Sequence, residues 1–151
     1  MPKINKEELF QRCATLLSFK ISDTQRMIDE IRVATSEDTK SSAGDKHETS
    51  RAMSQLELDK LSTVLSNLNQ QNQFLQSINP KKEIHGIEAG AIVHTNGGIF
   101  FLATALGRLD IDGTEVWAIG THAPLVKTLV NALEKGSGEF NDKVYRISHI
   151  E

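Results

Sequence analysis

LDKLSTVLSNLNQQNQFL, residues 58–75, decides how the first half of this 151-residue chain is read. Leu58, Leu61, Leu65, Leu68 and Leu75 fall on alternating gaps of three and four, with Asn72 in the one polar slot. That is the a/d spacing of a coiled-coil seam, a narrow apolar line that one facing helix can cover. The helix begins near Asp45 or Glu48 and stops at Asn79-Pro80, because the residue before a proline disfavours helical backbone. A second stripe precedes it: Phe10, Cys13, Leu17, Ile21, Thr24, Ile28 and Ile31, again at gaps of three and four. Asn5 with Glu8 three residues on is a variant of the capping box and starts that helix. Each helix has about 30 residues, roughly 45 Å at 1.5 Å per residue. Joined by a short loop, the two stripes can only bury each other. The expectation over 1–79 is an antiparallel helical hairpin, with a tip loop at about 37–48.

After a linker over 80–86 the period changes. The runs AGAIVHT, GGIFFLATAL, TEVWAIG and KVYRISHI are β-branched or aromatic and are bounded by NGG, DIDG and FNDK. They predict strands of a small antiparallel sheet, with Trp117 and Phe100-Phe101 in its core. One helix lies among them, APLVKTLVNAL, with Pro124 in the first turn, where proline is tolerated. Leu125, Leu129, Val130 and Leu133 form its expected buried face, and Gly136 its left-handed cap. The chain is thus α+β: a helical hairpin followed, over 87–151, by a small β domain with one helix.

Composition narrows the function. Net charge is −3 and pI about 6.0, which excludes a basic footprint for general or sequence-specific DNA binding. Residues 1–80 hold ten Lys/Arg against eleven Asp/Glu, so the hairpin has no strong patch of either sign. The single cysteine, Cys13, excludes a disulfide framework or cysteine-rich zinc site, and the five histidines show no metal-ligand spacing. There is no nucleophile-elbow, phosphate-loop or dinucleotide motif. MPKINKEELF lacks the apolar run of a signal peptide, and no window approaches a membrane span. A cytoplasmic protein with no membrane partner and no intrinsic cofactor is expected, a monomer rather than a dimer.

The connector SEDTKSSAGDKHETSRAM, residues 36–53, carries more acid than a turn requires. Asp45 and Glu48 have a local explanation, since that spacing starts a helix. Glu37 and Asp38 have none: they sit at a helix C-terminus, where the macrodipole disfavours negative charge.

In element order and segment length the chain resembles the Gre transcript-cleavage factors of bacterial RNA polymerase. The closing segment THAPLVKTLVNALEKGSGEF…KVYRISHIE is similar to that family's C-terminus. Pro124-Leu125, Leu129, Leu133, Gly138-Glu139 and Tyr145-Arg146-Ile147 take the family's places there. The resemblance implies an FKBP-like C-terminal domain, Pro124 and Leu125 included, that docks on polymerase, and a hairpin that enters the secondary channel. It implies that tip acids help hold the second magnesium ion of the polymerase active site and its water. Polymerase then hydrolyses the 3′ end of a backtracked nascent RNA. The protein would not be an enzyme itself: it would lend oxygen ligands to a two-metal site. On that pattern Asp38 matches the first metal-directed acid. Ser41 stands where the second should be and Gly44 where a further Glu would be, which leaves Asp45 as the substitute, with Glu37 and Glu48 as fallbacks. Lys40, Lys46 and Arg51 lie near the tip, where they would face nucleic acid or the channel wall. The Ser41 departure keeps open a channel-binding regulator without cleavage activity. A third reading is a standalone FKBP-like isomerase or chaperone.

Overall fold

Asn5 starts the first helix as its spacing predicts: the Glu8 N–H donates to Asn5 Oδ1 at 3.1 Å, and the Leu9 N–H to the Asn5 carbonyl at 3.0 Å. The computed structural model describes residues 3–38 and 45–151, the side chains of 38 and 45–47 excepted. The first helix, α1, is Lys6–Asp38, and the second, α2, is Asp45–Ser77; each has 33 residues. The chain divides into two compact units, Thr15–Gln73 and, together, Met1–Ala14 with Phe74–Glu151.

In the unit Thr15–Gln73 the two helices pack as the hairpin expected from their stripes. Leu17, Thr24 and Ile28 are buried, and Ile21, Ile31 and Thr35 are half-buried. On α2 the half-buried positions are Ser54, Leu58, Leu61, Leu65, Leu68, Gln71 and Asn72, while the residues between them face solvent. The predicted seam and the observed one coincide. Thr24 is accommodated in the seam because its hydroxyl donates to the Lys20 carbonyl at 2.8 Å, so no donor is stranded.

The other unit is built on a five-stranded sheet. Its strands are β1 (Ile92–Thr95), β2 (Gly98–Ala103), β3 (Gly107–Ile111), β4 (Thr114–Gly120) and β7 (Ile147–Ile150), in the order β3-β4-β2-β1-β7. A two-stranded sheet pairs β5 (Gly138–Phe140) with β6 (Lys143–Tyr145), and α3 (Pro124–Lys135) lies between β4 and β5 in sequence. One face of the main sheet contributes Ala91, Val93, Phe100 and Leu102 to a core shared with Leu129 of α3, Tyr145 and Ile84. Ile84 falls in the segment 80–86. The alternate residues Ile92, Phe101, Leu109, Ile111, Val116 and Ala118 are buried too. Leu9, Phe10, Cys13 and Leu75 are buried in the same unit. Arg12 ties α1 to β3, its guanidinium donating to the Asp110 carbonyl at 2.9 Å. Burial pushes the Cys13 thiol up to about 12, so it is a packed apolar group and not a nucleophile.

Five expectations are corrected. The sheet is mixed, not antiparallel, because β4 runs parallel to β2, with Phe100 beside Trp117 and Leu102 beside Ile119. Alternation fixes which face a residue takes but not the direction of the neighbouring strand. KVYRISHI is two strands, broken at Arg146. There Asn96 intervenes: its Oδ1 accepts the Arg146 N–H at 2.7 Å, and its own N–H donates to the Arg146 carbonyl at 3.2 Å. Trp117 is 39% exposed, with Nε1 donating to Glu115 at 2.8 Å, and Leu133 is 45% exposed. Of the expected inner face of α3, Leu129 is buried, Leu125 packs half-buried on the core and Val130 is half-buried, while Thr128 and Ala132 are buried beside them. Finally, GRLDI and GEF, which lie outside the four predicted runs, form strands as well. Pro124 at the start of α3 and Gly136 at its end (φ 91°, N–H to the Ala132 carbonyl) are as expected.

Gly138 is glycine by close approach: a Cβ there would lie 2.3 Å from the Thr128 carbonyl oxygen. Gly138→Ala should cost about 2 kcal/mol or more by forcing β5 from α3, read as a lowered urea midpoint. The Glu8 carboxyl is held above the usual carboxylate range, first by its hydrogen bond with Asp112 and then by that group's charge, with Arg12 opposing. A raised carboxyl favours the folded state only while protonated, so this contribution is complete below the ordinary carboxylate value and fades as pH rises past the raised one. Glu8→Gln should therefore raise the melting temperature slightly at pH 7, an advantage that shrinks at acid pH.

Candidate functional site

The acids singled out from the sequence flank the segment 39–44. Asp38 is the last residue of α1 and Asp45 the first of α2. Glu37, Glu48 and Arg51 are exposed. Lys40, Ser41, Ala43 and Gly44 lie outside the described residues, as do the side chains of Asp38, Asp45 and Lys46. The helix ends therefore bring the Asp38 and Asp45 backbones to the two sides of one short connection.

Local energetics separates these residues. Asp45 and Glu48 occupy the first turn of α2, where the exposed N–H groups and positive dipole end favour carboxylates. Glu37 and Asp38 occupy the last turn of α1, which holds no basic residue. Acids at those positions in the chain meet the negative end of the helix dipole. Such a placement opposes helix stability by a few tenths of a kcal/mol, so the helix itself gives no reason for it.

The second set, Pro124 and Leu125, lies in the other unit. Pro124 is exposed at the start of α3, behind Ala123 as N-cap (φ −60°, ψ 143°) with no side-chain cap. Leu125 is half-buried against the core, so only Pro124 of this pair is fully available to a partner. Beside them Thr121, His122 and Lys127 border a shallow depression of about 320 Å³.

One polar cluster was not anticipated. His94 on β1 is 1% exposed, and its Nε2 meets Glu151 Oε2 at 2.5 Å. The His149 ring lies 5.5 Å away, tilted by 44°. Pairing of β1 with β7 sets His94 opposite His149, so the cluster follows from a register between distant segments and leaves no local motif. Lys6 of α1 is held below its ordinary range mainly by burial, with Glu151 and Glu88 opposing. Among the described residues, no group of three His, Cys, Asp or Glu is placed to hold a metal ion. No described helix is long and apolar enough to cross a membrane.

Comparison with protein-family models, with curated proteins and with solved structures finds no match.

Replacing Glu37 with lysine should give a small rise in melting temperature, as favourable charge replaces unfavourable charge at the end of α1. A fall would assign Glu37 a structural contact and weaken the case that the acids serve a partner.

Proposed function

We propose that this protein is a Gre-like transcription elongation factor. In this reading the C-terminal domain, FKBP-like in character, binds bacterial RNA polymerase, and the hairpin end enters the secondary channel. There Asp38, with Asp45 in place of the missing second acid, supplies carboxylate oxygens to the polymerase's own magnesium ion. The attacking water is thereby held against the phosphodiester at the 3′ end of backtracked RNA. Magnesium usually takes only one or two carboxylates from a protein and keeps several waters, so a donor of this kind needs few acids.

The observation that carries the proposal is the unfavourable pair Glu37-Asp38 at the end of a 33-residue helix whose stripe is matched along α2. The order of elements, hairpin first and a small β unit with one helix after it, supports it as well. A second reading is favoured by Ser41, which replaces an acid of the family pattern: a channel-binding regulator that leaves the RNA intact.

The experiment is pull-down of RNA polymerase with the tagged protein, followed by incubation with stalled, backtracked elongation complexes. Cleavage shortens the RNA from its 3′ end, and Asp38→Ala abolishes this while polymerase binding persists. Binding without shortening sinks the cleavage mechanism and selects the regulator. Absence of binding sinks both.

A further inference from the structure

Within the unit Thr15–Gln73 an open groove of about 750 Å³ runs along one flank of the helix pair. Its floor is apolar, formed by Ile21, Val33 and Ala34 of α1 and Leu65 of α2, and Val33 is 58% exposed. Its rim carries the carboxylates of Asp29, Glu30 and Glu37. The guanidinium of Arg26 also borders it and forms an ion pair with Glu30, Nη1 lying 2.6 Å away, and with Asp23, 2.7 Å from Nη2, so that among the described lining residues Asp29 and Glu37 carry the uncompensated charge. The groove therefore presents an apolar floor under a rim of net negative charge.

Ile21 and Val33 are twelve residues apart on one helix, about 18 Å at 1.5 Å per residue, which is the span of three helical turns. A helix laid there covers Val33 and completes a third side to the seam, in the manner of helix-in-groove recognition. Charge decides which helix. An acidic one meets like charges along the rim. A second copy, related by a two-fold axis, sets this same acidic rim against itself. A helix with basic residues flanking its apolar stripe meets opposite charge on the rim.

We propose that this flank of the hairpin is a docking site for a basic amphipathic helix of a partner protein. The proposal is independent of the polymerase reading.

The test uses the full chain with labelled Ile, Leu and Val methyl groups. It is titrated with a helical leucine/lysine peptide of about five turns and with the same peptide bearing glutamate for lysine. The lysine peptide should shift the methyls of Ile21, Val33 and Leu65 saturably. It should bind at least about tenfold more tightly than the glutamate peptide, the equivalent of roughly 1.4 kcal/mol. Val33→Ser, an exposed position, should weaken binding while leaving the melting temperature unchanged, and Asp29→Asn with Glu37→Gln should reduce its salt dependence. Shifts spread over the surface, equal binding of the two peptides, or full binding by Val33→Ser each overturn the proposal. So does concentration-dependent self-association through these same methyls.

Discussion

Four consecutive buried residues on β2, Phe100-Phe101-Leu102-Ala103, impose the constraint on which the β-containing unit depends. Neighbouring side chains on a strand point to opposite faces, so a run of four buried in succession needs cover on both sides. A small domain with one helix can cover only one. Phe100 and Leu102 share their core with Leu129 of α3, while Phe101 and Ala103 face the other way. The same unit contains the first turns of α1, with Leu9, Phe10 and Cys13, and the end of α2, with Leu75, all buried. Full burial of a side chain of this size contributes about 1.5–3 kcal/mol, so the sheet's second face amounts to a large share of the unit's stability. The start and end of the helical region are thus structural parts of the β half.

The remainder of the helix pair follows a different rule. Between Thr15 and Gln73 each helix buries one narrow stripe and exposes the rest, and the seam leucines of α2 remain half-buried because only one helix faces them. Polar residues enter the stripe where their groups are satisfied, as with Thr24. On the outer surface charges are arranged in local pairs such as Arg26 with Asp23 and Glu30. Exposed pairs of this sort add little to stability. The surface is therefore free to vary in composition, and acids that oppose the helix dipole at its end are tolerated because the seam holds the pair together.

Much of this was legible in the sequence, and the reason is periodicity. The stripe from Phe10 to Ile31 and the leucine line from Leu58 to Leu75 specify helices whatever their surroundings, and Asn5, Pro124 and Gly136 mark helix ends by local chemistry, Asn5 through its side-chain cap and the other two through their backbones. What was not legible depends on partners distant in sequence. The parallel alignment of β4 on β2, the break at Arg146 made by Asn96, and the meeting of His94 with Glu151 all arise from tertiary pairing. An aromatic in a strand favours the core, whereas Trp117 on β4 stays 39% exposed with its ring N–H donating to Glu115. For the candidate site, sequence located the acids but gave no geometry for residues 39–44, and Asp45 and Glu48 retain a complete local explanation as helix starters.

The insertion of β4 between β3 and β2 has a kinetic corollary. The turn at Asp112-Gly113, both at positive φ, closes the β3–β4 hairpin from neighbouring residues alone, with little chain entropy to lose. The parallel edge against β2 closes a longer loop and carries β3 to the outside of the sheet. Local closure precedes distant closure when loop entropy governs the rate. The β3–β4 and β1–β2 hairpins are therefore the early-forming pieces, and the parallel edge between β4 and β2 joins them.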